Sequence, residues 1–158
     1  MTTPKDRDPL ITESTVEAFE RVRRERRAPA SDDAVSVGAL NGLIAMLRGA
    51  RVVWHAAEEA VREEPARTQL AEEAVTLARQ IDALSSAVRS LGGSPPEADE
   101  GEQDALPFGS RELGYATDDE AVLAGIASDR ERLRQARNTT AAGAPLPDVR
   151  VLIESLRI

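Results

Sequence analysis

Two apolar stripes of heptad spacing, separated by one proline, constrain this chain more than anything else in it. Leu40, Leu47, Trp54 and Val61 fall seven residues apart, and Leu43, Ala50 and Ala57 fill the complementary seam position, with Ile44 widening the stripe. Beyond Pro65, Leu70, Ala74, Leu77, Ile81, Leu84, Val88 and Leu91 alternate spacings of four and three. A repeat averaging 3.5 residues lies on one side of an α-helix but scatters over both faces of a strand, so only helices can bury these side chains together. Helix A is predicted from a start between Asp33 and Ala39 to about Glu64, and helix B from about Ala66 to Leu91. Pro65 either stops the first or occupies the first turn of the second. Gly92 and Gly93 supply a left-handed C-cap, and Pro95 and Pro96 prevent continuation. A tight corner between two long helices forces an αα-hairpin. Its core is expected at Leu40, Leu47, Trp54, Val61, Leu70, Leu77, Ile81, Leu84 and Val88. Burying one such leucine is worth roughly 1.5 to 3 kcal/mol, so two one-sided helices need further cover.

That cover follows an acidic break. Residues 94–116 form a loop whose first part holds Glu97, Asp99, Glu100, Glu102 and Asp104 with no basic residue up to Ser110. Helix C is expected from Thr117, capped with Glu120, to about Asn138. Its stripe of Val122, Leu123, Ile126, Leu133 and Ala136 is interrupted by Asp129 and Arg130, which predicts weaker burial or a polar contact midway. After a loop through Gly143, Pro145 and Pro147, helix D takes up the last dozen residues with Val149, Leu152, Ile153 and Leu156 on one face.

Ahead of the bundle domain, taken as residues 35–158, residues 1–34 read as a flexible segment containing a short amphipathic helix from Ser14 to Arg27. Val16, Phe19 and Val22 form its stripe, and Arg21, Arg23, Arg24, Arg26 and Arg27 are the only basic concentration in the chain. Such a face could grip phosphates, an anionic membrane or an acidic partner. Glu17, Glu20 and Glu25 are interleaved, however, and seven Lys and Arg against eight Asp and Glu leave the segment at -1, which favours a solvated face. The preferred use of Val16, Phe19 and Val22 is docking where a short helix D leaves a bundle open, in its own chain or in a neighbour's.

The four-helix order now carries a resemblance. The Leu40-Asn41-x-Leu43-Ile44 opening with Leu47 and Gly49, the Leu91-Gly92-Gly93-x-Pro95 close, the acidic break, the Asp118-Asp119-Glu120-Ala121 start and the Leu146-Pro147-x-Val149 start together resemble an uncharacterised bacterial family of ferritin-like four-helix bundles over residues 37–158. The resemblance implies an all-α antiparallel bundle with a long connection between helices B and C, to which this chain adds the N-terminal helix. A di-metal carboxylate site needs Glu-x-x-His on two helices. Here Glu72, Glu73, Glu131 and Glu154 are followed three positions on by Val75, Thr76, Arg134 and Arg157, and the seams of A and B hold no carboxylate, so the interior is expected to be aliphatic apart from Trp54.

His55 is the only histidine, with Glu58 and Glu59 three and four residues on. These three are the sole candidate metal ligands, and an exposed His and Glu pair is the simpler use of them. With no cysteine there is no thiolate nucleophile, and Gly92 and Gly93 follow a helix rather than opening one, so they are no phosphate cradle. A net charge of -8 disfavours nucleic acid, and Arg48 and Arg51 break the most apolar stretch far short of the roughly 20 residues a bilayer span requires. The opening residues lack a signal-peptide core, which makes the cytoplasm the expected address. The expectation is a non-enzymatic bundle without a cofactor, acting through a protein partner or as a homo-oligomer; the alternative is metal or ligand binding through His55, Glu58 and Glu59.

Overall fold

The computed structural model describes residues 31–97 and 118–158. Every regular element among them is helical: α1 Asp32–Ala60, α2 Glu64–Ser90, α3 Asp119–Gly143 and α4 Pro147–Glu154. The amphipathic segment carrying Val16, Phe19, Val22, Arg23, Arg24 and Arg27 lies outside the described residues.

α1 opens earlier than its hydrophobic pattern, because Ser31, inside the stretch expected to be flexible, is its N-cap, its hydroxyl accepting from the Ala34 amide at 3.2 Å, with Asp32 and Asp33 in the positive first turn. It ends at Ala60 rather than near Glu64, and Val61 to Glu63 make the corner. Pro65 takes the first turn of α2, where its missing N–H is harmless. At the other end the Gly93 amide reaches the Val88 carbonyl at 2.9 Å and the Gly92 amide the Arg89 carbonyl at 3.0 Å, with Gly92 at φ 78°. This paired closure needs a left-handed residue, which glycine adopts without steric cost. Gly93 meets a second demand, since a Cβ there would stand 2.6 Å from a methyl of Val37 on α1.

The chain beyond α2 is tied along α1: Asn41 Nδ2 donates to the Ser94 carbonyl at 3.0 Å, and Arg48 Nη1 to those of Pro96 at 2.6 Å and Glu97 at 3.0 Å. Arg48 thus holds the exit of the hairpin. α3 packs against α1 and α4 against α3. Its N-cap is Asp118, which accepts from the Ala121 amide at 2.9 Å. Asp119 Oδ2 accepts from the amides of both Arg62 and Glu63 at 2.9 Å, pinning the α1–α2 corner to the start of α3. α3 also runs on to Gly143, past Asn138, because Ala141 is buried and the extra turn adds to the core. Asp119→Ala is expected to cost about 1 to 2 kcal/mol, since two corner amides lose an ionised acceptor. Urea midpoints would check it, with Asp119→Asn losing less because its amide oxygen still accepts.

Leu40, Leu47, Trp54, Val61, Leu70, Leu77, Ile81, Leu84 and Val88 are all buried, in one cluster with Ile126, Leu133, Val149, Ile153 and Leu156 of the later helices. The C-terminal turn is held by side chains from two elements: Arg137 Nη1 donates to the Leu156 carbonyl at 2.9 Å and Gln80 Nε2 to that of Arg157 at 3.0 Å. No helix among the described residues is long and apolar enough to cross a membrane.

Candidate functional site

The interior is not aliphatic apart from Trp54. Helix periodicity places Glu73 beside the α2 seam, about one turn from both Leu70 and Leu77, and there it meets Trp54 of α1 and Arg130 of α3. Trp54, 2 % exposed, donates its indole N–H to Glu73 Oε2 at 2.7 Å. Arg130 reaches Oε2 through Nε at 3.1 Å, and both carboxylate oxygens through Nη2 at 2.7 and 2.8 Å. Gln69 Nε2, one turn back on α2, donates to Oε1 at 2.9 Å. One carboxylate thus joins three helices. A forked arginine on a carboxylate is among the stronger hydrogen-bonded pairs, and its geometry fixes both partners.

Burial pushes the Glu73 carboxyl up, but the hydrogen bonds from Arg130, Trp54 and Gln69, with the Arg130 charge, together outweigh it and hold the group below its ordinary value. Glu73 is therefore ionised at neutral pH and its oxygens are occupied, which suits a strut and not a general base. The polar break midway along α3 makes this contact, and its other half, Asp129, is buried with Oδ1 3.5 Å from Arg132 Nη1.

Beside the strut is a cleft of about 390 Å³. Trp54, Leu77, Leu133 and Ile158 supply its apolar wall; Thr76, Arg130, Arg157 and Glu73 supply its polar groups. It exists because α2 and α3 are bridged by side chains rather than packed closely, and the C-terminal turn closes one end.

The sequence candidates fare differently. His55 and Glu58 do come together, Nδ1 to Oε2 at 3.5 Å, on an exposed face of α1. Glu59 is exposed and forms no hydrogen bond or ion pair with either side chain, and no group of three His, Cys, Asp or Glu able to hold a metal exists among the described residues. Sequence spacing does not mark the strut, because Glu73 sits one residue from a second glutamate and 57 residues from Arg130. The interruption of the α3 stripe was its only signal.

No family model matches the chain, and no curated protein matches it.

Proposed function

We propose that this chain is a non-enzymatic helical-bundle protein that works by protein association, first of all with a second copy of itself. The observation that carries the reading is the outer face of α2. Val75 is 51 % exposed there, in a shallow hollow formed with Ala71, Glu72, Thr76 and Arg79. Residues three, four and seven apart share a helix face, so Glu72 and Arg79 flank Val75 on either side. In an antiparallel pair of α2 helices with its two-fold axis between Val75 and Thr76, each Glu72 meets the other copy's Arg79. The face is thus complementary to itself in charge, with valine at its centre, as a closed two-fold interface requires. A single helix pair buries little area, which places the complex among weak ones.

The order of the helices supports reading the domain as a ferritin-like bundle, from which the short last helix and the degenerate metal-ligand positions are departures. The carboxylate nearest the interior aromatic serves as a strut, and His55 with Glu58 faces solvent.

Charge reversal tests the interface directly. Glu72→Arg alone and Arg79→Glu alone each place like charges together twice, and both are expected to weaken dimerisation about tenfold or more. The double variant restores opposite pairs and should restore the dimer, read by sedimentation equilibrium. A double variant no tighter than the singles would sink the interface.

A further inference from the structure

The cleft beside the strut goes beyond association, and we infer that it binds a small monocarboxylate with an aliphatic body. Two observations select that chemistry. Glu73 takes Arg130 through Nε and Nη2, so the Nη1 hydrogens have no partner among the described residues, and Arg157 lines the same cleft with no ion pair to any described residue. Counting side chains alone, Arg130 and Arg157 stand against Glu73 in the cleft lining, on a protein whose net charge is -8.

The charge of Arg130 offsets that of Glu73, whose oxygens are already engaged by Trp54, Gln69 and Arg130, so the attraction for a ligand's carboxylate falls chiefly to Arg157. The remaining wall, with Trp54, Leu77, Leu133 and Ile158, offers nothing to a polar body. A volume of about 390 Å³ is at the small end for ligand sites, which suits an acid of six to eight carbons (roughly) better than a large metabolite.

Trp54 is the only tryptophan, so its emission and its single indole N–H resonance report on the cleft without labelling. Hexanoate, hexan-1-ol and hexylammonium are titrated into the full chain at neutral pH. Hexanoate should give a saturable change in both signals, at an affinity about tenfold or more above hexan-1-ol, the margin that charged hydrogen bonds supply. Hexylammonium should bind more weakly than the alcohol. Arg157→Gln, an exposed substitution that leaves the backbone carbonyl held by Gln80 in place, should lower hexanoate affinity about five- to tenfold and leave hexan-1-ol unchanged. The inference is overturned if hexanoate gives no saturable response, if alcohol and acid bind equally, if the ammonium binds best, or if Arg157→Gln has no effect on the acid. The α2 charge reversals lie outside the cleft's charged groups, so failure here leaves the association reading standing.

Discussion

Trp54→Ala is expected to remove about 3 to 5 kcal/mol of stability, most of what a domain of this size has to spare. The ring is nearly inaccessible, occupies a heptad seam position opposite α2, and donates the hydrogen bond that anchors Glu73. Truncation therefore leaves a large cavity and a half-buried carboxylate with one fewer donor. Trp54→Phe separates the two effects. It keeps most of the volume and loses the N–H, and should cost about 1 to 2 kcal/mol. Urea denaturation of both variants against the parent checks the pair of numbers. A loss below about 1 kcal/mol for alanine would show that the ring is not the centre of the core.

Removing the carboxylate itself has the next largest effect. Glu73→Ala leaves the Trp54 indole N–H without its acceptor and Arg130 without its partner, and about 2 to 3 kcal/mol should be lost. The estimate is kept modest because roughly a third of each ion-pair side chain is in water, 29 % for Arg130 and 30 % for Glu73. The pH dependence is a sharper check. Since the folded carboxyl titrates below its unfolded value, the unfolded chain takes up this proton first as acid is added. The stabilisation is complete above the unfolded glutamate value of about 4.3 and disappears as pH falls through the lowered folded one. The stability gap between the parent and Glu73→Gln should thus be level above pH ~5 and shrink below it. In that comparison the other carboxylates cancel. A gap that widens in acid would contradict the depressed value.

Much of the fold was readable in the chain because it rests on local repeats. The seams of α1 and α2 name their own buried residues, and Gly92, Gly93 and the following prolines name the stop. Helix ends were read less well where capping competes with hydrophobic pattern. Ser31, Asp32 and Asp33 look like linker because none is apolar, yet their chemistry is that of a helix start. The end of α3 lies beyond its hydrophobic pattern for the opposite reason: Thr139 and Thr140 are indifferent helix formers, and the burial of Ala141 carries the helix on to Gly143. The strut was the hardest to foresee. Its three helices meet only in the folded chain, and a glutamate next to a seam has no sequence mark distinguishing it from the solvated Glu72. His55 and Glu58, adjacent on one helix, were the easier pair to find and make only an exposed contact.

Association through α2 is tested most directly by sedimentation equilibrium of the unsubstituted full chain from about 10 to about 500 µM, the range in which small interfaces form. The average mass should rise with concentration from that of one chain towards that of two and level there, as a closed two-fold pair requires. A mass that stays at one chain throughout, or that climbs past two without levelling, would contradict it.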